Sequence, residues 1–184
     1  MKKIFLLITA CGLLIQSGNL ASQTKAGNKN EVTVPTLPKD FVEKDIIEKE
    51  TGFSGKIMSP KDAIILDEYQ EVVIRLNETA QFELRVSTSD NDYTLEEVKK
   101  TIENNQVNAF EVNNYHFKKY LYEDGNSVLV EAVNEKKEIH YYFEAVVKKN
   151  EKLIHIYSVY SRYITSDKAF EKVLQLFAMA KTFK

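Results

Sequence analysis

The histidines are the first place to look for chemistry, because imidazole is the commonest metal ligand and moves protons readily near neutrality. There are three, His116, His140 and His155. Each falls on the less apolar side of an alternating segment. If the last two such segments pair through an even-length loop, His155 lies beside Val146, six residues along the chain from His140. At ~3.3 Å per residue the two rings are then some 20 Å apart and cannot share a metal. A tighter group follows from continuing that pairing backwards. Lys118 faces Glu131 and Glu131 faces His140, which makes a row of cation, carboxylate and imidazole. A cross-strand charge ladder of roughly 0.2–1 kcal/mol per pair accounts for such a row, and this reading outweighs a weak hydrolase built on His140 and Glu131.

Other motifs carry less. Asp90-Asn91-Asp92 opens like a calcium loop, yet Leu95 stands where the turn glycine belongs and Thr101 where the bidentate glutamate belongs. It reads as a turn into a helix. Asn77-Glu78-Thr79 has the form of a glycosylation sequon, which polar hairpin residues explain as well. There is no glycine-rich phosphate loop, no nucleophile elbow and no His-Glu-x-x-His helix. The expectation is a protein that is not an enzyme, with no catalytic residue, no metal and no cofactor. What stands out instead is ten tyrosines without a tryptophan. Tyrosine gives rigid contact area with a polar end and is enriched at binding surfaces. Tyr120, Tyr122, Tyr142 and Tyr157 fall on the same side as the histidines, while Tyr141 and Tyr160 fall on the core side. The expected partner surface is therefore Tyr120, Tyr122, Tyr142 and Tyr157 with His140, Glu131 and Lys118. The competing account is that strands favour tyrosine in any case.

The elements that must position these side chains come in two halves. Residues 39–50 carry Phe41, Val42, Ile46 and Ile47 at a spacing that one helical face could use. Strands follow at residues 63–66, 71–76 and 82–86, the last with Phe82, Leu84 and Val86 alternating with polar residues. Thr94-Leu95-Glu96-Glu97 has capping-box form ahead of a stripe of Leu95, Val98 and Ile102. In the second half, residues 115–122 and 127–133 flank Asp124-Gly125, which suits the positive-φ positions of a hairpin. Residues 138–147 alternate most strictly, and Ile154, Ile156 and Tyr160 answer them across the turn at residues 148–151. Ser166 can cap a closing helix whose Phe170, Val173, Leu174 and Phe177 are fit to cover a sheet. The sum is α+β, a mostly antiparallel sheet flanked by helices.

The N-terminus supplies an address. Residues 1–21 combine Lys2 and Lys3, the apolar run Ile4 to Ile15, and a small-residue exit at Ala21. This reads as a bacterial export signal, and the run is short of the ~20 residues of a permanent membrane helix. Two processing routes are open. Ordinary signal peptidase could cut after Ala21, or Ile8-Thr-Ala-Cys11 could serve as a lipoprotein box, with residues 1–10 removed and Cys11 acylated. Under the second route the lipid on Cys11, the one cysteine of the chain, is the only membrane attachment. Residues 22–38 read as a solvated polar spacer and residues 39–184 as a single α+β domain. The formal charge of −2 falls to −4 without the acid-free leader, a surface that does not attract nucleic acid.

Three features together resemble the PsbP-like fold. They are the Ser59-Pro-Lys-Asp-Ala63 lead into early strands, the single helix from Thr94, and four strands closed by a helix ending Ala180-Lys-Thr-Phe-Lys184. The similarity spans residues 52–184 and includes no signature motif. That fold is shared by an extrinsic photosystem subunit, a nuclear-transport factor that binds a small GTPase, and exported bacterial proteins. The resemblance implies an α-β-α sandwich with a non-enzymatic binding or accessory role, and it offers no catalytic residue to carry over. The leading expectation is an exported protein of the periplasm or cell envelope that binds a protein or envelope component through the tyrosine-bearing side. The alternatives are a periplasmic inhibitor or immunity-type protein that blocks a toxin or hydrolase, and a small-ligand carrier.

Overall fold

A computed structural model describes residues 31–76, 82–89, 93–107, 114–160 and 166–184. The leader with Cys11, the Asn77 sequon and Asp90-Asn91-Asp92 lie outside the described residues. Within them the chain forms nine strands and two helices. In order these are β1 (Phe41–Ile47), β2 (Ser54–Pro60), β3 (Ile64–Glu68), β4 (Glu71–Arg75), β5 (Phe82–Ser89), α1 (Leu95–Glu103), β6 (His116–Glu123), β7 (Ser127–Val133), β8 (Ile139–Lys149), β9 (Lys152–Tyr160) and α2 (Ser166–Ala180). Strands β3 to β9 make one antiparallel sheet ordered β3-β4-β5-β9-β8-β7-β6, and β1 and β2 form a separate hairpin. The fold is α+β and mostly antiparallel, as the sequence suggests.

Alternation decides what each sheet face carries. On one face Val72, Ile74, Leu84, Val86, Leu129, Phe143, Ile154 and Ile156 are buried beneath Val173, Leu176 and Phe177 of α2. On the other, Val128, Val130, Ala132, Tyr142 and Val146 meet Val98 and Ile102 of α1. The capping box forms as its residue types require, the Thr94 hydroxyl oxygen accepting from the Glu97 N–H and the Glu97 carboxylate accepting from the Thr94 N–H. The side chain of Ser166, expected to cap α2, lies outside the described residues.

Three expectations are corrected. Residues 41–47 form a strand where a helix was expected, because Phe41–Ile47 pair along their whole length with Ser54–Pro60. Their β-branched residues suit a strand, and Glu48 stabilises the turn by accepting from the backbone N–H groups of Glu50 and Thr51. Gly52, at φ 68°, completes that turn. Second, Asp124-Gly125 does not use positive φ. Asp124 Oδ1 instead accepts from the N–H groups of Asn126 and Ser127 in an Asx turn. The positive-φ pair lies in the next hairpin but one, where Asn150 and Glu151 at 50° and 66° join β8 to β9. Third, the end of the polar spacer is packed rather than solvated. Glu31 and Val32 donate to the Leu121 carbonyl at the β6 edge, and Val32, Val34 and Leu37 pack against the α2-side core.

The β1-β2 hairpin is clamped by the C-terminal residues. The Lys56 N–H donates to the Lys184 carbonyl at 2.9 Å, and the Lys184 N–H returns to the Lys56 carbonyl at 3.1 Å. Gly55 sits under the buried Phe183 ring, so a Cβ at position 55 would overlap that ring. Gly55→Ala is expected to cost about 1–3 kcal/mol by overpacking, read as a lowered urea midpoint at unchanged slope.

Candidate functional site

The expected row of Lys118, Glu131 and His140 is not one row. Lys118 Nζ does meet Glu131 Oε1 at 2.5 Å. Glu131, however, stands opposite Tyr141, while His140 stands opposite Ala132. The turn from β7 to β8 holds an odd number of residues, 134–138, and a one-residue shift moves a side chain to the other face. Glu131 therefore lies on the α2 face and His140 on the α1 face. A second displacement affects the tyrosines. A bulge between Tyr120 and Tyr122 leaves Tyr120 on the α1 face and turns Tyr122 to the α2 face, edge-on to Phe177 at 5.2 Å.

The expected partner surface is also less open than its composition suggested. Tyr142, His140 and Glu131 are only 6%, 8% and 8% exposed. Helix α1 covers the β6 and β8 part of its face, and the Tyr120 hydroxyl donates to Glu103 of that helix at 2.7 Å. His140 packs against Tyr115, and burial lowers its pKa to about 4.

The last hairpin keeps the register expected for it, His155 opposite Val146. This places Glu144 of β8 diagonally across from His155 of β9, and their side chains meet at 2.6 Å, Glu144 Oε1 to His155 Nδ1. The other carboxylate oxygen, Oε2, accepts from the Tyr142 hydroxyl at 2.7 Å. Tyr93, in the entry to α1, stacks on the His155 ring with centroids 5.2 Å apart. His155 is 5% exposed, and its Nε2 is buried with no hydrogen-bond partner among the described residues. Ser87 of β5 is the direct cross-strand neighbour of His155. Together with Tyr157 these residues line an open cleft of about 340 Å³. It lies where the cover of α1 ends.

A charged lattice continues from the cleft along the face of β4 and β5. The Tyr157 hydroxyl donates to Glu71 Oε1. The other oxygen of Glu71 meets Arg85 at 2.8 Å, and Arg85 meets Glu83 at 2.9 Å. Glu83, 4% exposed, also receives Arg75 at 2.6 Å. Charge-assisted bonds of this kind hold a carboxylate that burial alone would expel. Burial raises the Tyr157 pKa, and its bond to Glu71 raises it further.

Tyr157 and Tyr142 are the two expected surface residues that the structure brings to this cleft. Lys118, Glu131 and Tyr122 lie on the opposite face, and His140 and Tyr120 lie under α1. Sequence reasoning missed Tyr93, Ser87, the Glu144–His155 pair and the arginine lattice. Two signals were available. Period-two spacing places Glu71 with Arg75, and Glu83 with Arg85 and Ser87, on one face. The hairpin register brings Glu144 diagonally to His155. Nothing local marks Tyr93, whose place depends on how α1 docks.

The fold and cleft together define an α+β sandwich domain with a polar, aromatic-lined cleft on one side of its sheet. No family model matches the chain and no curated protein matches it. Among solved structures it resembles cyanobacterial PsbP (CyanoP) from Synechocystis sp. PCC 6803, solved in solution. Identity is 15%, the TM-score is 0.47, and 83% of this chain and 97% of that chain are covered. That likeness concerns the fold alone.

Proposed function

We propose that this chain is an exported, non-enzymatic binding protein of the periplasm or cell envelope, and that its binding site is the cleft rather than a broad tyrosine surface. The export part rests on the pattern of residues 1–21, with anchoring by a lipid on Cys11 if the lipoprotein route is taken. The binding part rests on one observation. Tyr93, Tyr142 and Tyr157 surround a buried, mutually bonded Glu144–His155 pair that lines an open polar cleft. A cleft of about 340 Å³ suits a small molecule or a single protruding side chain.

A second reading has a specific observation in its favour. Ser87, His155 and Glu144 follow one another across β5, β9 and β8 in the order of nucleophile, base and orienting carboxylate. Acyl transfer also needs donors for an oxyanion. Here β5 and β9 lie inside the sheet, where backbone N–H groups belong to the ladder, and His155 Nε2 is buried beside the stacked Tyr93 ring. Binding is therefore the better reading.

Native mass spectrometry of protein purified from an envelope fraction tests it. The wild type is expected to carry a bound component that Tyr157→Ala loses at an unchanged melting temperature. Wild-type protein free of any component in every such preparation counts against a binding role. Turnover of a general ester substrate that disappears in Ser87→Ala supports the hydrolase instead.

A further inference from the structure

We propose that the cleft takes a small organic ammonium ion, held by the rings of Tyr93 and Tyr157 and by hydrogen bonds to acceptors around Glu144 and His155. This rests on the binding reading above and names the class of ligand.

The argument begins with where the protons are. The Tyr142 hydroxyl donates to Glu144 and the Tyr157 hydroxyl to Glu71. The Tyr93 hydroxyl donates to Thr101 Oγ1 at 2.7 Å, and that hydroxyl donates onward to the Glu97 carbonyl. All three phenol protons in the cleft wall are thus committed, and what these oxygens have to offer is lone pairs. In neutral His155 the Nδ1–H donates to Glu144, so Nε2 is an acceptor as well. This buried nitrogen has no donor among the described residues, which leaves an acceptor of the cleft wall unsatisfied. Beside the Ser87 and Thr88 hydroxyls, which can donate or accept, the aromatic side of the cleft offers acceptors.

Charge points the same way. Four carboxylates, Glu68, Glu71, Glu83 and Glu144, line this stretch of sheet against the guanidinium groups of Arg75 and Arg85. Arg85, the cross-strand neighbour of Tyr157, is engaged by both Glu71 and Glu83. The Tyr93 pKa is raised chiefly by burial, which outweighs the opposing hydrogen bond with Thr101, and the carboxylates of Glu144 and Glu97 add to the rise. Aromatic faces beside a carboxylate attract a cation. An ammonium ion with N–H groups meets both needs, supplying positive charge and the missing donors. A carboxylate or phosphate ligand would meet acceptors and negative charge. A neutral alcohol would satisfy the acceptors but leave the charge unanswered.

The test uses the full domain near neutral pH, with butylammonium, 1-butanol and butyrate as probes followed by calorimetry and by backbone amide NMR shifts. Butylammonium is expected to shift the amides around Ser87, Tyr93, Glu144 and His155, and to bind at least about tenfold tighter than either comparator. Glu144→Gln is expected to weaken it by about tenfold or more, the scale of one lost charged hydrogen bond. If Glu144→Gln folds poorly, Tyr93→Leu removes one aromatic wall from the edge of the site and should reduce affinity in the same direction. Tighter binding of butyrate overturns the proposal, since it requires an imidazolium cleft. Equal binding of 1-butanol, or shifts confined to other parts of the sheet, also overturns it. A purified component lost in Tyr157→Ala with no response to butylammonium refutes the ligand class and leaves the binding reading standing. Absence of both refutes the two together.

Discussion

Phe177→Ala is expected to destabilise the domain by about 3–5 kcal/mol, the range for removing a fully buried aromatic ring, and to lower the melting temperature by roughly 10 °C. Phe177 is 0% exposed and sits on α2, the helix that closes the main core. Its ring lies 5.2 Å from Phe143 of β8 and 5.2 Å from Tyr122 of β6, so one side chain joins the helix to the middle and the edge of the sheet. The cavity left by alanine is walled by strands already fixed in their ladders, which limits collapse and places the cost toward the upper end. Phe170→Ala is the internal comparison. Phe170 lies on the same helix, is half-buried and contacts Tyr141, so its loss should cost distinctly less. Urea midpoints of the two variants at matched slopes check the ranking, and equal costs would mean that α2 does not close the core in this way.

The same helix shows how much of the fold the sequence announces. Phe170, Val173 and Phe177 recur at helical spacing, and β8 alternates so strictly that its two faces can be assigned from residue types alone. Those signals are local and strong, and they agree with the α2-side core. The segment at residues 39–50 shows the opposite case. Val42, Ile46 and Ile47 fit one helical face, but pairing with β2 and the clamp from Lys184 outweigh that weak preference. Short apolar runs are ambiguous between the two periods, and tertiary pairing decides them.

The site was legible only as far as register could be extrapolated. The β8-β9 turn has two residues, and its alignment holds from Lys149 back to Glu144, so His155 falls where the pattern places it. The β7-β8 turn has an odd length and β6 carries two irregularities. Each shifts the pairing by one residue, and one residue is enough to send Glu131 and Tyr122 to the face opposite His140. Tyrosine enrichment did point to the half of the sheet that carries the cleft. It could not distinguish tyrosines that line a cleft from tyrosines buried under a helix, because that depends on where α1 lies. The cleft itself follows from two facts that become visible only together, the diagonal contact of Glu144 with His155 and the arrival of Tyr93 from another part of the chain.

Acid is expected to weaken the domain in two separable steps, the first of which belongs to His140. This imidazole is 8% exposed, and burial holds its pKa at about 4 against an ordinary 6.5. Between those values the unfolded chain binds a proton that the folded chain does not. The stabilisation from keeping His140 neutral is therefore fully present above pH 6.5, and it declines as pH falls toward 4. A shift of this size corresponds to about 3 kcal/mol. The second step belongs to carboxylates whose pKa values are lowered, Glu43, Glu48 and above all Asp124. Burial would raise its pKa, but the Lys181 ammonium, the Asn126 N–H, the Tyr122 hydroxyl and Ser127 outweigh burial and hold it at about 2, below the ordinary 3.8. Its contribution is present above 3.8 and is lost as pH falls toward 2. The two windows barely overlap, so substitution can separate them. His140→Gln is expected to flatten the dependence of the urea midpoint between pH 6.5 and 4 while leaving the lower fall intact, and Asp124→Asn to reduce the lower fall, to which Glu43 and Glu48 also contribute, while leaving the upper one intact. A wild-type midpoint that stays constant through the upper window would mean that His140 is already charged in the folded protein. The α1 face, with Tyr115 against that ring, would then have to be open to water.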